Sequence, residues 1–571
     1  MDNTANRICR CIVSLLEKHG VKRAIVSPGS RNAPLIVALS RNKSIESDVV
    51  VDERSAAFIA LGYSTVAQEP VALICTSGSA LLNYGPAISE AYYRKVPLIV
   101  ISADRPKEWI GQDDSQTIVQ FRALSNYVKR SYDLPVGQSD NDIWYANRVV
   151  NDALLTAITG KQGPVHINVQ LAEPLGVMVD DSADNEKNVM LNRYIQIIKP
   201  SPQLAPPQAV QLAEQIAKAE KVMIIAGFMH PNKELNKSLS LLANLPNVVV
   251  LTETIANLQN NKFVPNIDAA LSSIRDCDID NMIPDIVISI GGALVSRHIK
   301  QYIRDHQVKE HWHVGEVEDT VDCFKQLTMR IEISPEVFFA QILCNLQSKQ
   351  IASGNYASHW EIIKNRSLSL TSSYVSKVEW SDFKAFATLI PLIPKSWNVQ
   401  YSNGTAIRYA QLFGEHRQHR CDCNRGVSGI DGCTSTAIGA SMAYNSGTTL
   451  LITGDMSFKY DISALFSQQI GPNFKIIVIN NNGGSIFRFI ASTSSLDVRE
   501  RMFCCPSETS YNELFEVHKF AFYEANNEIQ LLDSFRQFAE EKSRPAALLV
   551  NTDGELSAQI LKDFFKFNKT N

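Results

Sequence analysis

The sequence predicts an α/β chain built from three doubly wound parallel-sheet domains. Short β-branched runs alternate with helical patterns along its length, the cadence of parallel strands joined by crossover helices. Many of these runs are continuously apolar, as strands covered by helices on both faces must be. The third observation is a faint internal repeat. ALICTSGS and LLITGDMS each carry a hydrophobic strand ending in Thr, then a small-residue turn, a helical pattern and a second strand, LIVISAD or IIVINNN. Thr76 precedes Ile101 by 25 positions and Thr453 precedes Ile479 by 26. Two similar domains flanking a third would produce this pattern, although any strand–helix–strand unit shares part of it.

The first block covers 1–185. It opens on MDNTANRICRCIVSLLEKHG, whose spacing suits an amphipathic helix and lacks the basic-then-apolar order of a secretion signal. RAIVSPGSRNAPL, DVVVDERSAAFIALGYSTVA, PVALICTSGSALLNYGPAISEAYYRKVPLIVISADRP and GPVHINVQLAEPL then supply strand-to-helix units. A polar stretch with Asp180, Asp181 and Asp184 follows, and KPSPQLAPPQ reads as a linker stiffened by Pro200, Pro202, Pro206 and Pro207. The second block, 186–350, carries KVMIIAGF, NVVVLTET and PDIVISIGG as buried strands. A helical connector around HWEIIKNRSLSLTSSYVSKVEW leads into the third block, 351–571, with WNVQYSNG, TTLLITGD, FKIIVINNN and PAALLVNTDG.

Composition narrows the classes of function. A chain of 571 residues has room for about three cores. Its 55 basic and 59 acidic residues nearly balance, and no basic stripe calls for a nucleic acid. No apolar run approaches the ~20 residues of a membrane span. Of the 11 cysteines, Cys9/Cys11, Cys421/Cys423 and Cys504/Cys505 are close pairs without zinc-site spacing. Reduced thiols of a cytoplasmic protein are the plainer reading.

Asp455 and Asn481 should end successive strands and project from the carboxyl edge of a sheet, where open α/β folds bind ligands. A carboxylate, a side-chain amide and a nearby backbone carbonyl are hard oxygen ligands suited to Mg²⁺ on a diphosphate. Gly454, Gly483 and Gly484 should let the chain approach phosphates, with a helix start favouring the anion. A strand-end turn with Asp as a helix cap would look the same. Glu53, in VVVDERSAAF, follows an apolar strand and begins a helix, a common place for a charge that suits the helix dipole. Arg31, Arg105, Arg408 and Arg425 fall in or near strand-end turns, and arginines gathered around one pocket would take polyanionic substrates.

The segment GDMSFKYDISALFSQQIGPNFKIIVINNNGGSIF resembles the GDG…NN signature of thiamine-diphosphate enzymes, with Met456 in place of the third glycine. The resemblance implies pyrimidine-binding (1–185), central (186–350) and diphosphate-binding (351–571) domains. It further implies Mg²⁺, with Mn²⁺ as a substitute, held by Asp455, Asn481 and the Gly483 carbonyl, and cofactor contacts from Gly454, Met456, Ile486 and Phe487. Glu53 is then the carboxyl group that engages the aminopyrimidine and drives loss of the thiazolium proton. Ile430, between Gly429 and Asp431, is the apolar prop for the bent cofactor, although core packing would also place an aliphatic there.

SPGSR, DERSAAFIALG, ADRP, SQTI, SNGTAIR, NRGVSGIDG and NNNGGSIF together resemble the 2-succinyl-5-enolpyruvyl-6-hydroxy-3-cyclohexene-1-carboxylate synthase family of menaquinone biosynthesis. That likeness implies decarboxylation of 2-oxoglutarate and conjugate addition of the succinyl unit to isochorismate. It assigns Ser30, Arg31, Arg105, Gln116 and Arg425 to the acidic substrates, and Asn403 and Arg408 to the succinyl carboxylate. Phe487 stands where many thiamine decarboxylases carry an acidic residue, which suits a carboligase. Gly404 departs from an expected serine. Arg297, in the same substrate set, departs from an expected lysine. A homodimer or dimer of dimers, with active sites at the subunit interface, is also implied. Two other readings stay open: an acetolactate-synthase-like or simple 2-oxo acid decarboxylase, and a cofactor-binding regulator without catalysis.

Overall fold

Residues 2–180, 193–316, 320–416 and 420–570 are described in the computed structural model of the chain. Asp181 and Asp184 of the expected polar stretch lie outside the described residues. The chain divides into two compact units. One comprises 1–199, 426–449 and 459–474; the other comprises 200–425, 450–458 and 475–571.

The first unit holds a short antiparallel pair, β1 (Asp2–Thr4) with β8 (Met178–Asp180), and a six-stranded parallel sheet. That sheet comprises β2 (Arg23–Val26), β3 (Glu46–Val49), β4 (Val71–Cys75), β5 (Leu98–Asp104), β6 (Ser131–Leu134) and β7 (Val165–Gln170), in the order β3-β2-β4-β5-β7-β6. Its central strands β4, β5 and β7 are buried along their length. The N-terminal helix Arg7–Lys18 packs its apolar face into the same core, with Asn6 accepting from the Cys9 N–H as its cap.

The second unit holds two sheets. The central one contains β9 (Val222–Ala226), β10 (Val248–Thr252), β11 (Ile286–Ile290), β12 (Glu310–Val314) and β13 (Met329–Ile331), all parallel, in the order β10-β9-β11-β12-β13. The other contains β14 (Asn398–Tyr401), β15 (Arg420–Cys423), β16 (Thr449–Gly454), β17 (Phe474–Asn480), β18 (Ala521–Ala525) and β19 (Ala546–Asn551). Its order, β15-β14-β16-β17-β19-β18, repeats that of the first six-stranded sheet strand for strand. The faint sequence repeat therefore marks a shared topology.

Two expectations need correction. The strand before Glu53 is not a fully apolar one: β3 reads ESDV, lies at the sheet edge and stops at Val49, and Val51 is 76% exposed. An edge strand has one unpaired side, and of the VVV run only Val50 is buried, with Val49 54% exposed. Pro206 and Pro207 do not belong to the linker, because they open the helix Pro206–Lys218. Proline is well placed there, since the first-turn N–H it lacks has no helical partner anyway.

One helix contact fixes the Glu53 region. Helix Glu53–Ala67 packs on helix Cys433–Ala443, both within the first unit. A Cβ on Gly62 would stand 1.9 Å from the Thr436 carbonyl oxygen, and one on Gly439 would stand 1.9 Å from that of Ile59. Only glycine permits backbones this close.

Candidate functional site

In the second unit, β16 and β17 are neighbours. Asp455 follows β16 immediately and Asn481 follows β17, which brings both to one edge of the sheet. Both are buried, and the Asp455 carboxylate accepts from the Gly483 N–H at 2.8 Å. Asn481 donates through Nδ2 to Asp382 at 2.8 Å, while its Oδ1 is buried without a hydrogen-bond partner. The Gly483 carbonyl accepts from Ser485 N–H at 2.8 Å and keeps a second lone pair. A carboxylate, an unsatisfied amide oxygen and a half-used carbonyl form a donor set that fits a hard divalent cation.

The glycines there differ in purpose from the expectation. Gly483, at φ +123°, leaves room for the chain itself, since a Cβ would lie 2.3 Å from the Cys504 carbonyl oxygen. Gly484 makes room for the Phe487 ring and the Met456 sulfur. Gly454 alone faces open space. The helices that follow, Asp455–Tyr460 and Ile486–Phe489, span six and four residues, too short to build much of a dipole for an anion. Met456, Ile486 and Phe487 are partly buried within them. Arg488, which the sequence reading missed, is buried and donates to the carbonyls of Asn481 at 3.2 Å and Asn482 at 3.4 Å.

The same unit gathers Arg297, Arg408 and Arg425. Burial first, and then the charges of Arg297 and Arg425, push the Arg408 guanidinium down from its ordinary value, while Asp268 and Glu253 oppose the shift. Arg425 donates to Asn403 Oδ1 at 3.0 Å, which joins Asn403 to the group. Two guanidinium groups whose charges act on a third make a ready site for carboxylates. Gly404 stands at φ +96°, so a side chain at this point would be strained, which accounts for the absent serine. The loop bearing Arg297 is anchored by Glu253, fully buried after β10, which accepts from the N–H groups of Val295 and Ser296 at 2.7 Å each. Nothing in the spacing of Glu253 marked it, because its partners lie more than forty residues away.

In the first unit, Asp52 caps helix Glu53–Ala67 by accepting from the N–H groups of Arg54 and Ser55. The capping role thus falls to Asp52, and the Glu53 side chain makes no hydrogen bond or ion pair with any described residue. Cys75 and Tyr84 lie within its field. At the end of β4, Thr76 Oγ1 and Ser77 Oγ are buried without hydrogen-bond partners. These unsatisfied hydroxyls, in a region beside an uncommitted carboxyl group, fit a polar ring such as an aminopyrimidine. Ile430 belongs to the same unit, in a turn pressed on the Glu53 helix: a Cβ on Gly432 would lie 2.1 Å from the Phe58 ring. Glu90 holds this turn by accepting from the N–H groups of Gly426 and Val427 at 2.7 Å each.

Arg31 and Arg105 also lie in the first unit, close enough that Arg105 helps lower the Arg31 value after burial does. Arg31 is 5% exposed, donates to the Leu171 carbonyl at 3.0 Å and pairs with Glu173 at 3.1 Å. Arg105 pairs with Asp114 at 3.0 Å and donates to the Ser115 carbonyl at 2.9 Å. Ser30 and Gln116 are exposed, and Gln116 sits at φ +57°.

Burial of carboxyl groups makes stability depend on pH. Desolvation raises Glu253 to about 7 and Asp104 and Asp461 to about 6. Folded values above the ordinary range give stability that is full below about pH 4 and lost progressively as pH rises to about 6–7. His166 and His311, buried and lowered to about 4, act in the opposite sense below the ordinary imidazole value. The carboxyl groups lose their contribution over the window in which the imidazoles gain theirs, so the unfolding midpoint of the cofactor-free chain should change little between about pH 4.5 and 7. Thermal scans in matched buffers check this, and a midpoint that climbs steeply across that window would contradict it.

Comparison with known proteins extends the picture. Residues 7–124 match the thiamine pyrophosphate enzyme N-terminal TPP binding domain, and residues 192–395 match the middle domain of thiamine pyrophosphate enzymes. A 2-succinyl-5-enolpyruvyl-6-hydroxy-3-cyclohexene-1-carboxylate synthase of Porphyromonas gingivalis is 36% identical, over 97% of this chain and 96% of that protein. Proteins of the same name are 37% identical in Flavobacterium psychrophilum, over 98% of both chains, and 35% in Bacteroides thetaiotaomicron, over 97% of both.

Proposed function

The chain belongs to the family of 2-succinyl-5-enolpyruvyl-6-hydroxy-3-cyclohexene-1-carboxylate synthases, thiamine-diphosphate-dependent enzymes, and from that premise we propose how its residues serve the reaction. The substrates are 2-oxoglutarate, which loses CO₂, and isochorismate, which receives the remaining succinyl unit by conjugate addition, a step of menaquinone biosynthesis. The observation that carries this reading is the grouping of Arg297, Arg408 and Arg425 with Asn403, a site for carboxylates rather than for a neutral 2-oxo acid side chain.

When bound, thiamine diphosphate supplies a carbon nucleophile and an electron sink for the loss of CO₂. Asp455, Asn481 and the Gly483 carbonyl would hold Mg²⁺, or Mn²⁺ in its place, with Gly454, Met456, Ile486 and Phe487 lining the diphosphate end. Glu53 would hold a proton at the pyrimidine ring nitrogen, and Ile430 would support the cofactor. Arg408 and Asn403 would take the distal carboxylate of 2-oxoglutarate. Ser30, Arg31, Arg105, Gln116, Arg297 and Arg425 would take the remaining acidic groups. Residues 1–185, 186–350 and 351–571 would serve as pyrimidine, central and diphosphate domains. A homodimer or dimer of dimers with sites at the subunit interface completes the proposal. Among the described residues no helix is long and apolar enough to cross a membrane. A cytoplasmic location suits the free thiols.

Mass-spectrometric product analysis with 2-oxoglutarate and isochorismate tests the function. The coupled product is expected, and release of CO₂ from pyruvate in preference to 2-oxoglutarate would favour an acetolactate-synthase-like enzyme instead. The arginines can be tested separately. Arg408→Ala should impair decarboxylation of 2-oxoglutarate without any acceptor present, by about 1.5–3 kcal/mol or one to two decades. Arg105→Ala should spare that half-reaction and weaken transfer to isochorismate. Equal damage to both halves by each variant would leave only a shared electropositive pocket.

A further inference from the structure

Asp382 is fully buried at the start of helix Asp382–Leu392 and has no part in the ligand set described above. Both of its oxygens are engaged. Oδ2 accepts from Asn481 Nδ2 at 2.8 Å, and Oδ1 accepts from Thr552 Oγ1 at 2.6 Å. The Ser557 hydroxyl accepts from the Asp382 backbone N–H at 2.9 Å, which ties the start of the helix to the helix Gly554–Thr570. A side-chain amide has a donor end and an acceptor end of nearly the same shape, so something must choose which end faces the site. A carboxylate can only accept. It therefore takes the Nδ2 end of Asn481 and turns Oδ1 away from itself, and that Oδ1 is the buried oxygen left without a partner.

We propose that Asp382 is a positioning residue which sets the flip of the Asn481 amide and so presents its oxygen to the cation. This rests on the reading of Asn481 as a cation ligand. Thr552 fixes the carboxylate in turn, and Arg488 fixes the Asn481 main chain through its carbonyl. Neighbours that orient a metal ligand typically change metal affinity by about 10–100-fold when removed.

The test is Mn²⁺ affinity at saturating thiamine diphosphate, read by electron paramagnetic resonance, on the full-length chain and on Asp382→Ala, Asp382→Asn, Asn481→Ala and the double variant Asp382→Ala/Asn481→Ala. Asp382→Ala should weaken Mn²⁺ binding by about 10–100-fold. Asp382→Asn retains an acceptor for Nδ2, and its own amide can donate to Thr552 Oγ1, so it should stay within about three-fold of the unmodified chain. The double variant should bind no more weakly than Asn481→Ala alone, because Asp382 acts only through that amide. Equal losses in Asp382→Ala and Asp382→Asn, or additive losses in the double variant, would overturn the proposal in favour of a charge or folding role. Unmodified affinity in Asn481→Ala would instead overturn the ligand assignment itself. If Asp382→Ala does not fold, as judged by thermal unfolding without cofactor, Asp382→Ser carries the same comparison.

Discussion

Asp455→Ala should abolish cation-dependent binding of thiamine diphosphate at concentrations that saturate the unmodified chain. Two losses combine. The site loses its one carboxylate ligand, which supplies most of the charge that offsets a divalent ion beside a diphosphate. The Gly483 N–H, now paired to that carboxylate at 2.8 Å, becomes a buried donor without a partner. The second effect should loosen the turn that carries the Gly483 carbonyl, so the damage exceeds the removal of a single contact. Calorimetric titration with thiamine diphosphate and Mg²⁺ measures it, and an unchanged affinity would remove Asp455 from the metal site. Apart from the cofactor, the fold should persist, because β16 ends before Asp455 and its core residues Leu450, Leu451 and Ile452 are untouched.

Glu53→Gln should leave the fold and cofactor binding largely intact while slowing exchange of the thiazolium C2 proton of the bound cofactor by about 10²–10⁴-fold. The substitution keeps the shape of the side chain and removes the group able to hold a proton at the pyrimidine nitrogen. The helix cap does not suffer, since Asp52 and not Glu53 accepts from the first-turn N–H groups. Quenched-flow NMR on the loaded enzyme reads the exchange rate directly. Exchange at the unmodified rate would mean that a different residue engages the pyrimidine. The two substitutions differ in kind: Asp455→Ala removes binding, whereas Glu53→Gln should separate binding from activation.

The sequence by itself determined the fold class and most of the chemistry-bearing positions. Fully buried parallel strands must be largely apolar on both faces, so VMIIA and VVVLT declare themselves without any neighbour in view. Asp455 and Asn481 were legible because a strand followed at once by a polar residue places that residue at the sheet's ligand edge. Arg31, Arg105 and Arg425 were legible because they stand in turns that follow strands, whereas Arg408 lies within the helix Ala406–Leu412 and not in a strand-end turn. What the tertiary structure alone decided is which of these groups are free to act and what holds them. Glu253, Asp382 and Glu90 act on backbone or side-chain groups more than forty residues away in the chain, and Arg488 on carbonyls six and seven residues before it. No local periodicity records such partners. Gly483 and Gly484 read as openings for phosphate, yet their space is filled by Cys504, Phe487 and Met456. The VVV run before Glu53 read as an apolar strand, yet only Val49 belongs to a strand, at the sheet edge, and of the three only Val50 is buried. The physical reason is the same throughout. Sequence pattern reports what a residue's own backbone and polarity favour, whereas burial, edge position and the second partner of a polar group are settled only when distant segments pack together.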